Sequence, residues 1–202
     1  AINGLALDVL VHATAAVRAG RSVDTDSALG SILVETAEDS SLEPAFRALA
    51  LTLPSELDIG REIGEDVDPD AIHLARKAVF LAIANSGRAS FARLVEELRE
   101  DNGFSPEAGS AGRRALRNAA LAYLAEAEKS PLPARQAYDA ATNMTDMIAA
   151  LRILAHQFPG SAETQAVLAD FRQRFDGEPL VLDKWFTAQA TVPGEATLDR
   201  VA

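Results

Sequence analysis

Asp68-Pro69-Asp70-Ala71-Ile72-His73-Leu74-Ala75-Arg76-Lys77-Ala78-Val79-Phe80-Leu81-Ala82-Ile83 is the stretch that decides the fold class. An aspartate stands where an N-cap side chain accepts the orphan backbone N–H groups of a helix, and a proline follows at the first helical position, where its missing N–H costs nothing. Behind this start, Ile72, Ala75, Val79, Phe80 and Ile83 recur at helical steps and share one face. Asp66-Val67-Asp68-Pro69-Asp70 also opens like a calcium loop. Such a loop needs glycine at its sixth position and glutamate at its twelfth, and the chain has Ala71 and Lys77 there. Asp68 therefore reads as a cap.

The same pattern of cap, stripe and stop extends in both directions. Upstream, residues 2–18 read as a helix with Leu5, Val9, His12 and Val17 on one side, ended by Gly20. Asp24 or Asp26 caps a second helix through about Glu38, and Pro44 to Leu51 gives a short third. Ser55 with Asp58 three residues on matches a capping box, with Asp in place of the usual Glu. Downstream, residues 88–100 turn Phe91, Leu94, Val95 and Leu98 inward, and Gly103 stops them. Ser105-Pro106 opens a long helix, interrupted near Gly109 and Gly112, whose later part carries Leu116, Ala120, Tyr123 and Ala127. Ser130-Pro131 starts the next. Asn143 and Thr145 cap another, with Met144, Ile148, Leu151 and Ala155 behind them. Pro159-Gly160-Ser161 is a turn and cap before the stripe Val167, Leu168, Phe171 and Phe175. Gly177 and Pro179 break the chain ahead of a last full helix with Leu182, Trp185 and Phe186.

About ten helices with short connections and no convincing strand define an all-α fold. The spacing predicts a helical solenoid of antiparallel pairs, of the HEAT or armadillo kind, filling one domain over residues 1–202. Residues 195–202 read as the start of a further helix with Leu198 and Val201 on one side and nothing after them. A solenoid ends in a polar capping repeat, so this one reads as truncated, and its bare apolar end is expected to promote self-association.

Composition narrows the function classes. A globular chain of 202 residues buries roughly 70% of its unfolded surface, enough for a core. Acids outnumber bases 30 to 19, giving a net charge of −11. That balance argues against nucleic acid, whose phosphates require an excess of Lys and Arg, and against anionic membranes. There is no cysteine, so disulfides, thiol catalysis and thiolate metal sites are excluded. No apolar run is long enough to span a bilayer and no signal peptide opens the chain, so a cytoplasmic location is expected. The first residue is Ala1, which reads as the edge of an excised piece.

Four segments then stand out: Leu53-Pro54-Ser55-Glu56, Arg114-Ala115-Leu116-Arg117-Asn118-Ala119, Asn143-Met144-Thr145-Asp146 followed by Ala149-Ala150-Leu151, and Leu180-Val181-Leu182-Asp183-Lys184-Trp185-Phe186-Thr187-Ala188-Gln189-Ala190. In this order and spacing they resemble the C-terminal helical domain of bacterial aminopeptidase N. The resemblance covers about residues 50–190, and the first 50 fit it less specifically. It implies a parent enzyme that removes N-terminal residues from peptides, with a zinc held by a His-Glu-x-x-His helix and a downstream Glu. In that motif two imidazoles one turn apart grip the metal and the intervening Glu serves as base. It implies as partners the catalytic domain of the same polypeptide and, for the parent, peptide substrates. This chain departs from the catalytic pattern entirely. Its histidines, His12, His73 and His156, have no second histidine four residues on, and the Gly-x-Met-x-Asn motif is absent. The cavity-facing arginines that the resemblance implies for this domain fall past residue 202. No catalytic, substrate-binding or metal residue is therefore assigned within the chain, and no cofactor beyond the parent's zinc.

The remaining motifs read as architecture. Asp183-Lys184-Trp185-Phe186 reads as a core Trp and Phe flanked by solvated charges, with docking on a catalytic domain as the functional alternative. Asn143-Met144-Thr145-Asp146 supplies capping oxygens. Arg113, Arg114 and Arg117 could grip a carboxylate bidentately but are expected to pair with local acids. His12, His73 and His156 lie too far apart in sequence to promise a metal site. Glu96 and Glu97 point about 100° apart on a helix, and Glu126 and Glu128 about 200° apart, so neither pair converges for acid–base work. The reading is an accessory domain that covers an active site and restricts access to it. The alternative is a standalone solenoid scaffold that binds a protein in its concave face.

Overall fold

The computed structural model describes residues 2–23, 28–99, 103–194 and 197–198. Its described residues form eleven α-helices and no strand: α1 (Ile2–Arg18), α2 (Ala28–Glu38), α3 (Pro44–Ala50), α4 (Glu56–Ile63), α5 (Pro69–Ser86), α6 (Arg88–Glu97), α7 (Ala108–Glu128), α8 (Leu132–Ala140), α9 (Met144–Gln157), α10 (Ala162–Arg174) and α11 (Pro179–Ala190). The expected caps at Asp24 or Asp26 lie outside the described residues. So does most of the expected 195–202 helix, of which Thr197 and Leu198 are described and helical.

The starts follow the capping chemistry. Asp68 accepts from the backbone N–H of Ala71 at 3.0 Å, with Pro69 behind it. Ser55 and Asp58 form a reciprocal box: the Asp58 N–H donates to Ser55 Oγ at 3.1 Å and the Ser55 N–H donates to Asp58 Oδ2 at 3.1 Å. A shorter Asp thus does the work of the customary Glu.

The helices gather into two compact units, Ala1–Arg99 with Pro106–Ala127, and Glu100–Ser105 with Glu128–Ala202. In the first, α5 is the hub, touching α1, α2, α4 and α6. The buried face of α1 is Ala6, Leu10, Ala13 and Thr14, whereas Leu5 and His12 are exposed. The expected stripe was off by one residue because α1 is apolar on most sides, so two parallel stripes satisfy the same period. The small residues on the true face let α5 approach closely. Arg47 is only 7% exposed. Its guanidinium donates through Nε to the carbonyl of Ala37 at 2.8 Å, and through Nη2 to the same oxygen. A permanent cation thus closes the C-terminal end of α2, where the carbonyl dipoles accumulate.

Helix α7 begins at Ala108 and runs through both glycines that were expected to interrupt it. Gly112 is a packing device: a Cβ there would lie 2.9 Å from the backbone nitrogen of Ala45. Its absence lets α7 seat against α3. Deeper along α7, Tyr123 lies between two rings, with centroids 4.2 Å from Phe80 and 4.8 Å from Phe91, and its hydroxyl donates to the carbonyl of Leu51 at 2.8 Å.

In the second unit α9 is central, in contact with α8, α10 and α11. Asn143 caps it, accepting from the Asp146 N–H at 3.0 Å. Ser161 caps α10 from the Thr164 N–H at 3.1 Å, and the Thr164 hydroxyl donates to the carbonyls that end α9, Leu154 at 3.1 Å and Phe158 at 2.8 Å.

Candidate functional site

The residues weighed from sequence scatter. In the first unit, His12 Nδ1 meets the carbonyl of Asp8 at 2.7 Å, a bond within its own helix, and His73 Nδ1 meets Glu56 Oε1 at 2.9 Å. In the second, His156 Nε2 meets Thr191 Oγ1 at 3.2 Å. Among the described residues no group of three or more His, Cys, Asp or Glu is arranged to hold a metal ion. The described side chains therefore do not fit a zinc centre, and no chemical step is derived through one. Arg114 is buried, and Arg117 donates through Nε to the carbonyl of Val95 at 3.3 Å. Glu96 sits 3.4 Å from Arg99. Asn143 is a cap.

What the helices do build is an open cavity of about 610 Å³ between α10 and α11 in the second unit. Gln165, Leu168 and Arg172 line it from α10, Asp176 from the turn that follows that helix, and Trp185 and Gln189 from α11. Helical periodicity explains most of the set: positions 165, 168 and 172 recur every three or four residues on α10, and 185 and 189 are one turn apart on α11. Trp185 is held by its indole N–H, which donates to the carbonyl of Leu168 at 2.8 Å. The guanidinium of Arg172 lies over the indole ring, 5.5 Å from its centroid. Gln189 is buried, at 6% exposure, and its amide nitrogen lies 3.4 Å from the carbonyl of Trp185.

Trp185 was expected in the core with Phe186. Instead Trp185 is half-buried and Phe186 is 44% exposed, in edge contact with the indole at 5.0 Å. The helix α11 buries only Ala188 and Gln189. The cavity carries no sequence motif, because its two walls come from helices whose register is not readable from either alone. The single available signal was the lone tryptophan beside charged neighbours.

The family described as a domain of unknown function, DUF3458_C, with ARM repeats, matches residues 1–202. The chain belongs to that family. The all-α fold is consistent with an ARM-repeat domain, and the helical-solenoid expectation agrees with that description. The chain is similar to proteins called aminopeptidase N: 40% identical over 86% of this chain in Caulobacter vibrioides, 34% over 75% in Haemophilus influenzae, and 31% over 81% in Escherichia coli. It spans about a fifth of their length, covering 20%, 17% and 18% of each. Among solved structures it is similar to Legionella pneumophila aminopeptidase A in complex with aspartic acid, with a TM-score of 0.79 at 21% identity, over 96% of this chain and 24% of that one. At that identity the likeness is one of fold. Among the described residues of this DUF3458_C domain, no helix is long and apolar enough to cross a membrane.

Proposed function

We propose that the chain is the C-terminal accessory domain of a cytoplasmic, zinc-dependent aminopeptidase, and that it covers the active site and restricts which peptides reach it. The observation that carries this reading is the 40% identity to aminopeptidase N over 86% of this chain, within a match that covers only 20% of that protein. The chain's own residues would supply positioning and excluded volume, with the zinc and the groups that activate water on another part of the polypeptide. Packed helices suit the task, because each compact unit presents a stiffer surface than a flexible loop could maintain. Its partners in this reading are the catalytic domain of the same polypeptide and the peptide substrates of the whole enzyme.

The test is to compare a full-length aminopeptidase of this kind with a version lacking the matching segment, using a ladder of peptides of increasing length. The expected outcome is that hydrolysis of a single-residue chromogenic amide persists while discrimination against long or folded peptides is relaxed. Unchanged length selectivity in a folded, zinc-loaded truncation would defeat the reading.

A further inference from the structure

We infer that the Asp176-Gly177 pair, in the turn between α10 and α11, is a site of spontaneous covalent modification, where the native chain converts to an isoaspartyl linkage. The modified site would be a substrate for a carboxyl methyltransferase that uses S-adenosylmethionine. This inference concerns the second unit alone and does not depend on the accessory-domain reading.

The reaction is internal to the chain. The backbone nitrogen of Gly177 attacks the side-chain carboxyl carbon of Asp176. The new N–C bond closes a succinimide ring, and the amide proton and a carboxyl hydroxyl leave together as water. Water then reopens the ring at either carbonyl. Opening at the former backbone carbonyl leaves the chain running through the side chain, longer by one methylene, with a free α-carboxylate beside it. Nothing is oxidised or reduced, and the final mass is unchanged. The step needs a following residue without a side chain in the way, an amide nitrogen not committed to a hydrogen bond, and a carboxyl able to swing onto it.

The turn meets all three needs. Phe175 to Glu178 is a β-turn closed by one bond, from the Glu178 N–H to the Phe175 carbonyl at 3.0 Å. Gly177 has a φ of +92°, and nothing lies within 4 Å of the place a Cβ would take. Glycine accepts either sign of φ, so the peptide plane between Asp176 and Gly177 can rotate. Among the described residues, neither the Gly177 N–H nor the Asp176 carboxylate has a hydrogen-bond or ion-pair partner. Asp176, Gly177 and Glu178 are all exposed, so water reaches the ring once it forms.

The other described aspartates each fail one requirement. Most lie inside helices, whose regular backbone holds the next amide away from the side chain. Asp68 precedes Pro69, which has no N–H. Asp39 is in a turn, but its Oδ1 accepts from the Ser41 N–H at 2.9 Å and from the Ser41 hydroxyl at 2.6 Å. Asp66 is followed by the β-branched Val67. Asn3-Gly4 and Asn102-Gly103 share the chemistry, but asparagine loses ammonia and so betrays itself by mass. Asn3 is helical, and Asn102 lies outside the described residues.

The test uses the unmodified 202-residue chain, held in heavy-oxygen water at about pH 5, where a carboxyl is protonated often enough to lose its hydroxyl. One sample is native by circular dichroism and a second is unfolded in guanidinium. After transfer to ordinary water, trypsin releases Phe175–Lys184, and fragmentation locates the heavy oxygen. Methylation by an isoaspartyl methyltransferase confirms the linkage. The expected result is uptake at Asp176 in the native chain within about threefold of the unfolded rate, as for a segment that needs no opening. Native Asp39 and Asp66 should be slower by at least about tenfold, the factor set by breaking one bond to a charged group. Asp176→Glu keeps the charge but must close a larger ring, and should abolish the uptake. Native Asp176 that stays unlabelled, or that labels no faster than Asp39 and Asp66, would overturn the proposal. Both comparisons are made on the unmodified chain, so they decide the matter even if the variant fails to fold.

Discussion

In the first unit Phe80, Tyr123 and Phe91 lie in one stack, and the middle ring is only 1% exposed. In the second unit Trp185 is half-buried and Phe186 next to it is 44% exposed. The two sets of rings sit on helices with similar spacing of apolar residues. What separates them is the number of neighbours. Tyr123 on α7 meets rings from both α5 and α6 and the carbonyl of Leu51, which caps the end of α3. Helix α11 has α9 and α10 against it and nothing on its outer side among the described residues of its unit. An aromatic side chain contributes its full burial energy only when it is enclosed; on a half-covered helix it contributes less.

The comparison yields tests, taken from the largest expected effect. Tyr123→Ala should destabilise by about 3–5 kcal/mol, because it opens a cavity between two rings and leaves the Leu51 carbonyl without its donor. Tyr123→Phe keeps the stack and should cost about 1 kcal/mol in denaturant unfolding. Next comes Gly112→Ala, which drives a Cβ into the backbone of Ala45, which cannot swing aside as a side chain would, and should cost about 1–3 kcal/mol. Gly109→Ala in the same helix meets nothing within 4 Å and should be neutral or stabilising by up to about 1 kcal/mol. Opposite signs three residues apart would identify close packing, and not helix propensity, as the role of Gly112. Trp185→Phe removes the indole bond to Leu168 and should cost only about 1 kcal/mol. A larger loss than for Tyr123→Ala would reverse the ranking of the two units.

The smallest effect is in pH. Loss of water around the His156 ring, followed by the nearby Arg152 cation, holds its pKa below the ordinary 6.5, only partly offset by a bond to the backbone of Ala188. A histidine with a lowered folded pKa binds its proton more readily when unfolded, so its contribution is complete above about 6.5 and declines as the pH falls towards the folded value. Urea midpoints of the natural chain should therefore drop between about pH 6.5 and pH 5 more than those of His156→Gln. Parallel curves would mean that the ring is solvated in the native state.

Much of the architecture was legible because capping is local. Asp68, Ser55, Asn143 and Ser161 each announce a helix within four residues, and the side-chain bonds are found where the letters put them. Three features escaped. The face of α1 could not be chosen, since Leu5 and Ala6 head equally good stripes and only the position of α5 decides between them. Gly112 read as a breaker because a glycine in isolation signals chain freedom, while here it marks the closeness of a neighbour 67 residues away in sequence, Ala45. The cavity escaped for a related reason. Arg172 and Asp176 are unremarkable surface letters until Trp185 is set opposite them by the packing of another helix.

The chain has only two tyrosines, Tyr123 and Tyr138. Both are buried, and both hydroxyls are donors, one to the carbonyl of Leu51 and the other to Asp170 Oδ2 at 2.8 Å. Burial pushes both phenols well above their ordinary value of 10, and beside Tyr138 the Asp170 carboxylate adds to it. Each favours the neutral phenol in the folded state, so its contribution is complete below about pH 10 and is lost as the pH rises beyond that. In strong alkali the folded chain would stay transparent where free tyrosine already absorbs as phenolate. The ultraviolet band would emerge only as the helices part, which makes base a titrant of the fold and not of its tyrosines.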